Sequence, residues 1–183
     1  GLPLAAGGTR NTPTLLGVAE RQRFTWADPS VTTLEDAVTR PLRHPDELGS
    51  WGSAAVLARL RADPALWAAF RRAFPDTDDP ATWEHITASL VAFVRTLRVE
   101  PGLYDRFLAG DSAALTPSAQ RGQRLFAEIG CANCHAGPAL TNESYHSLGL
   151  DGAGQGDPGL AARTGRASDW GRFRVPSLRA VAW

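Results

Sequence analysis

The chain has two cysteines in 183 residues, and both stand in the run Cys131-Ala132-Asn133-Cys134, followed at once by His135. Three chemistries use that spacing. In covalent c-type haem, two thiols on one turn meet the two vinyl groups of the porphyrin, and the next residue turns its imidazole onto the iron. In a redox dithiol of the thioredoxin kind, the pair needs a βαβ setting, and no such pattern is visible here. In a structural zinc site, four ligands are required, usually as a second close pair. The remaining histidines are His44, His85 and His146, and none forms a pair with another. The ordinary structural alternative is two buried thiols beside a chance histidine. The haem reading is favoured because the five-residue signature uses every cysteine present.

Composition is that of a globular protein, with 43% hydrophobic and 21% charged residues. The length allows one domain or two small ones. Formal net charge is zero, so there is no electrostatic case for a nucleic acid or an anionic membrane as partner. No apolar run is long enough to span a bilayer, and no secretory signal is visible. The sequence holds no methionine, so it is expected to be a processed product or a fragment. Haem attachment at such a motif normally takes place outside the cytoplasm, which suggests a periplasmic location. The pair does not call for a structural disulfide.

The elements that must position this motif read as helices joined by long loops. Three helix starts pair a capping residue with proline at the first helical position: Asp63-Pro64, Asp79-Pro80 and Thr116-Pro117. Thr32 with Glu35 reads as a capping box for another. The clearest helix is expected over about Pro80 to Arg98, where Trp83, Ile86, Leu90, Phe93, Val94 and Leu97 form one apolar stripe. A helix from Pro117 leads into the cysteine motif, with Leu125 and Phe126 expected to point inward. Strand patterns are scarce. After Gly137 the chain becomes a long loop rich in glycine and polar residues, a kind that is usually functional or partly disordered. The fold class expected is mainly α, with c-type cytochrome-like haem domains and long loops.

Five segments resemble the bacterial di-haem cytochrome c peroxidase and MauG superfamily. They are GGTRNTPTLLGVA at 7–19, FTWADPSVTTLEDAVTRPLRHPDELG at 24–49, LYDRFLAGD at 103–111, TPSAQRGQRLFAEIGCANCHAGPALTNESYHSLGL at 116–150, and GRFRVPSLRAVA at 171–182. The resemblance spans nearly the whole chain. The order of the segments is far more specific than the cysteine motif alone. It implies two helical haem domains: residues 1–98 as part of the N-terminal peroxidatic domain without its CxxCH, and residues 99–183 as the C-terminal electron-transfer domain. The first CxxCH is expected upstream of Gly1, and the loop supplying the distal ligand of the second haem downstream of Trp183. Two covalent haems are expected in the full-length protein, one of them attached by this chain.

The resemblance also implies roles for individual residues. The chemistry would be peroxide reduction, an oxidoreductase reaction with electrons from a small cytochrome c or copper protein. It needs a base to move a proton between the two peroxide oxygens. Glu47 matches that base, in Pro41-Leu42-Arg43-His44-Pro45-Asp46-Glu47; His44 and Asp46 are neighbours that could be mistaken for it. Trp26, in FTWAD, matches the tryptophan that relays electrons between the haems, against an ordinary role in packing. Asn11 matches the amide ligand of a calcium ion, which suits a hard cation; its ordinary reading is a turn residue before Pro13. His135 is the expected proximal iron ligand. Pro176 and Leu178 are expected at the haem edge, and Arg179 as partner of a haem propionate. His146 is a second-ligand candidate, with a surface or loop histidine the preferred reading. Homodimers are common in the family.

Two departures from the family pattern bear on function. Members that need reductive activation carry a histidine just before the Asn-Thr-Pro segment, and here Pro3 stands about there. This hints at an open site of the MauG kind, in which a residue on a partner protein is oxidised. The distal glutamine of the family is replaced by Ala37. A third reading, from another class, is a non-enzymatic electron-carrying cytochrome, which would need two strong axial ligands on every iron.

Overall fold

The computed structural model describes residues 10–44, 47, 52–150 and 156–181. The chain is mainly helical. It divides into two compact units: Gly1–Phe24 with Ser30–Leu97, and Thr25–Pro29 with Arg98–Trp183. A split at 98/99 would leave Thr25–Pro29 with the first unit; the structure groups that segment with the second.

The first unit contains α1 (Leu34–Arg43), α2 (Gly52–Ala62), α3 (Pro64–Ala73) and α4 (Trp83–Thr96). Helix α1 starts at Thr33, whose side chain accepts from the Asp36 amide and donates to the Asp36 carboxylate. This replaces the expected Thr32/Glu35 pair by its neighbour one residue on. Asp63 caps α3 as expected, accepting from the amides of Ala65 and Leu66, with Pro64 at the first position. The Asp79-Pro80 start is not used. Asp79 accepts from the Ala81 amide and pairs with Arg61. Thr82 caps α4 instead, accepting from the His85 amide. Helix α4 is therefore shorter than expected at both ends.

Two apolar clusters hold this unit. Phe24, Val31, Leu34, Val91 and Val94 form one, with Val18, Ala19, Ala37 and Val38 packed against it. Leu60, Ala81 and Ile86 form the other, flanked by Trp67, Phe70 and Trp83 among others. The buried stripe of α4 is Ile86, Val91 and Val94, while Phe93 is 59% exposed. Val91 thus takes the inward place expected for Phe93.

The second unit contains α5 (Leu103–Leu108), α6 (Pro117–Glu128), the two-residue strands β1 (Tyr145–His146) and β2 (Phe173–Arg174), and the short α7 (Ala161–Thr164). Thr116 caps α6 with Pro117 at its first position, as expected. Gly130, at φ 88°, ends this run and opens a 3-10 turn over Cys131–Asn133. A left-handed residue there is best supplied by glycine. On α6, Phe126 is half-buried, but Leu125 is 54% exposed, contrary to the inward position expected for it. The antiparallel strands pair Tyr145 with Arg174 and His146 with Phe173. Together with α7, they give local order to the stretch expected to be loop.

Candidate functional site

The cysteine motif folds as one tight turn. The amides of Cys134 and His135 both donate to the Cys131 carbonyl, at 3.3 and 3.0 Å. Both thiols are free and half-buried. His135 Nδ1 lies 3.2 Å from the Leu140 carbonyl oxygen. A carbonyl can only accept, so Nδ1 carries the hydrogen and Nε2 keeps its lone pair. That is the arrangement by which a protein fixes the tautomer of a metal-ligating histidine.

The residues after the motif are laced to the Val175–Arg179 segment. Thr141 donates its buried hydroxyl to the Val175 carbonyl at 2.7 Å, and Ser177 donates to the Ala139 carbonyl at 2.6 Å. Arg179 Nε donates to the Pro138 carbonyl at 2.7 Å. The Val175 amide donates to Ser144 O, and the Asn142 amide to Cys134 O, both at 2.9 Å. Five cross-bonds thus hold the backbone that carries the His135 acceptor.

These bonds frame a cavity of about 520 Å³. Cys134 and His135 line it, with Trp26, Trp170, Phe173, Val175 and Pro176 as apolar wall and His146 and Arg174 as polar members. Arg174 is buried, and its guanidinium carbon lies 5.8 Å from the centre of the Trp26 ring. Its Nε donates to Thr25 O, and its backbone amide to Trp26 O. Trp26 is therefore fixed from both sides of one residue. Phe126 lies tilted against His135, with ring centroids 6.4 Å apart and planes at 57°. A second hollow, of about 570 Å³ in the first unit, is lined by Glu35, Arg43, Trp83 and Arg95 among others. It offers no thiol and no histidine.

The expected site residues are distributed unevenly around this centre. Cys134, His135, Trp26 and Pro176 share the cavity; Cys131 lies on the adjoining turn, and Leu178, half-buried, is not among the lining residues. Arg179 Nη1 bonds Asp105 Oδ2 at 2.7 Å. Glu47, in the first unit, is exposed, and its amide donates to the His44 carbonyl at 3.0 Å. Pro45 and Asp46 of its motif, and Pro3, lie outside the described residues. Asn11 is exposed, and Ala37 packs on the α1–α4 core. Among the described residues there is no cluster of three or more His, Cys, Asp or Glu that could hold a metal ion. The sequence reading missed Arg174 and the cavity position of His146; both are set by the β1–β2 pairing, which two-residue strands do not announce.

A helical unit whose Cys-x-x-Cys-His turn opens on an apolar cavity, with the histidine tautomer fixed, defines the c-type haem class. The chain belongs to the di-haem cytochrome c peroxidase family, whose model matches residues 4–113. It is 34% identical over 171 residues to a methylamine utilization protein MauG of Methylorubrum extorquens, covering 93% of this chain and 48% of that protein. It is 32% identical over 183 residues to the cytochrome c peroxidase Ccp of Escherichia coli, covering 97% and 38%. The crystal structure of a MauG-like protein associated with microbial copper homeostasis superposes with a TM-score of 0.86 at 30% identity, covering 98% of this chain and 59% of that one. The chain spans about half or less of the length of the curated relatives named here.

Proposed function

We propose that this chain is part of a di-haem oxidoreductase that reduces hydrogen peroxide, with residues 99–183 and Trp26 forming its electron-transfer haem unit. One observation carries the reading: His135, with Nδ1 fixed by Leu140 O, shares an apolar cavity with Cys134 and Trp26. The residues fit haem c. Cys131 and Cys134 would each add across a vinyl double bond, sulfur to one carbon and hydrogen to the other, with no net redox change. His135 Nε2 would bind the iron. Trp26, Phe173, Val175 and Pro176 would exclude water from the macrocycle. When bound, the group supplies one-electron chemistry; the chain supplies its orientation and its surroundings.

In the first unit, Glu47 would move a proton from the near to the far oxygen of peroxide, so that two electrons and two further protons yield two waters. Those electrons would come from a small cytochrome c or copper protein. Asn11 would offer its amide oxygen to calcium, with backbone carbonyls as the other ligands. The proposed setting is the periplasm, and the proposed assembly a homodimer.

A second reading, a MauG-like enzyme that oxidises residues of a partner protein, is favoured by one feature. Pro3 stands where members that need reductive activation carry a histidine. The deciding experiment is made on the natural full-length protein. Pyridine haemochrome and intact mass should give two covalent haems, and peroxide should be consumed with a reduced small cytochrome as donor. No haem on Cys131 and Cys134 overturns the haem reading. Two haems with no turnover of any small redox donor, but with oxidation of a protein substrate, would establish the second reading instead.

A further inference from the structure

Leu140 presents its carbonyl to His135 from a strained backbone conformation. Its φ is 50°, in the left-handed region that leucine rarely occupies. Glu143, three residues on, is left-handed as well, at φ 54°. Neither is a glycine, so local preference does not account for the pair. The Leu140 amide donates to the Gly137 carbonyl and the Thr141 amide to the Ala136 carbonyl, each at 3.0 Å. These bonds close a turn, and the left-handed residue in it returns the Leu140 carbonyl to His135 Nδ1, 3.2 Å away. Left to itself, the loop would relax Leu140 toward negative φ and carry the carbonyl off the imidazole. Some part of the structure must hold it.

Thr141 stands between the two left-handed residues and is buried. Its hydroxyl is used twice. A carbonyl can only accept, so the single hydroxyl proton goes to Val175 O at 2.7 Å. The hydroxyl oxygen then accepts from the Glu143 amide at 2.9 Å. The first bond ties the loop to a residue 34 positions away, and the second sets the turn that follows. The further contact of Val175 O, with Arg174 Nη1 at 3.4 Å, is long and weak. Val175 is itself buried, and its amide donates to Ser144 O at 2.9 Å. Val175 thus clamps the loop on both sides of Glu143, by its carbonyl at Thr141 and by its amide at Ser144.

We infer that Thr141 is a positioning residue for His135: its hydroxyl, locked between Val175 O and the Glu143 amide, holds Leu140 in its strained conformation and so keeps Leu140 O on His135 Nδ1. The inference rests on the reading that His135 binds the iron of haem c, and it deepens that reading. A hydrogen bond from Nδ1 makes an imidazole a more basic ligand. A more basic ligand favours the oxidised, more highly charged iron, so a held Leu140 carbonyl lowers the midpoint potential. Thr141 is not among the residues that line the cavity, so its influence passes through the backbone of Leu140.

The test is a spectroelectrochemical titration of the electron-transfer haem in the natural full-length protein and its Thr141→Val and Thr141→Ser variants. Valine keeps the branched shape and removes the hydroxyl; serine keeps the hydroxyl and removes a methyl group. The expected result is a midpoint potential raised in Thr141→Val and returned to the wild-type value in Thr141→Ser, with haem content unchanged. The Nδ1 proton of His135, followed by NMR in heavy water, should exchange faster in Thr141→Val by roughly 5–30-fold, the range for a lost buried hydrogen bond. A Thr141→Val potential equal to that of the wild type overturns the inference. So do equal shifts in the two variants, because side-chain volume and not the hydroxyl would then be the cause. If Thr141→Val does not fold, the wild type and Thr141→Ser decide. An Nδ1 proton that exchanges in either as fast as that of a free imidazole overturns the inference, and one protected in both like the buried backbone amides upholds it. Absence of covalent haem on Cys131 and Cys134, read by pyridine haemochrome, overturns the underlying reading instead.

Discussion

Arg174 holds the Thr25–Trp26 segment by three contacts at once: its guanidinium lies 5.8 Å from the Trp26 ring centre, its Nε donates to the Thr25 carbonyl, and its amide donates to the Trp26 carbonyl at 2.8 Å. A lysine could keep the charge but not the planar fork, and would leave the Thr25 carbonyl without its Nε donor. Arg174→Lys should cost about 1–3 kcal/mol of stability. Urea denaturation of the haem-loaded full-length protein checks this. A loss within error of zero would show that Arg174 does not fix the Trp26 segment.

Arg179 does the equivalent work behind the cysteine turn. It joins the Pro138 carbonyl to Asp105 on α5. The Arg179 guanidinium, and after it the Gly102 amide, hold the Asp105 carboxyl down at about 2. A carboxyl depressed on folding contributes stability above its unfolded value, near 4, and that stability is lost as pH falls from about 4 toward 2. Asp105→Asn should flatten the acid limb of the stability curve in that window and change little at pH 7 beyond a constant offset. Equilibrium unfolding at pH 2.5, 4 and 7 gives the answer. An identical acid limb in the variant would mean the pair adds nothing to folding.

Gly159 is a third point of leverage on the cavity. At φ 58° it bridges to Arg172, and a Cβ there would lie 2.5 Å from the Arg172 carbonyl oxygen. The clash is with backbone that leads directly into β2, where Phe173 and Arg174 line the cavity. Gly159→Ala should destabilise by about 2–4 kcal/mol, from strain plus displaced backbone. Thermal unfolding of the haem-loaded protein measures it, and a Tm within a degree of the wild type would show that the bridge gives way freely.

Local chemistry was legible in the sequence, and long-range pairing was not. Asp63-Pro64 and Thr116-Pro117 cap helices because a side-chain oxygen and a fixed φ act within one turn. Two threonines in succession, each followed three residues on by an acid, made Thr32 and Thr33 indistinguishable by pattern. Asp79 has the same local form as Asp63, but Arg61, eighteen residues away, claims its carboxylate. The apolar period of α6 marks Leu125 as it marks Phe126, and periodicity says nothing of what covers either. The Cys-x-x-Cys-His turn was plain because its chemistry is contiguous. The bonds from Thr141, Ser177 and Arg179 that brace it span 34 to 41 residues, and only the fold brings them together.

Glu47 offers the sharpest test of the peroxidatic role. It is exposed just beyond α1, where a carboxylate can reach a small polar substrate and return its proton to water. If it moves the proton between the peroxide oxygens, Glu47→Gln removes the base while keeping the shape of the side chain. The rate of reaction with peroxide should fall by roughly 10²–10⁴-fold. The visible haem spectrum and the potential of the electron-transfer haem should stay as in the wild type, because the substitution lies in the other unit. Stopped-flow mixing of the full-length protein with hydrogen peroxide separates these effects. An unchanged rate removes Glu47 from the mechanism. A slowed rate with an altered spectrum would show that Glu47 acts on the haem surroundings and not on peroxide.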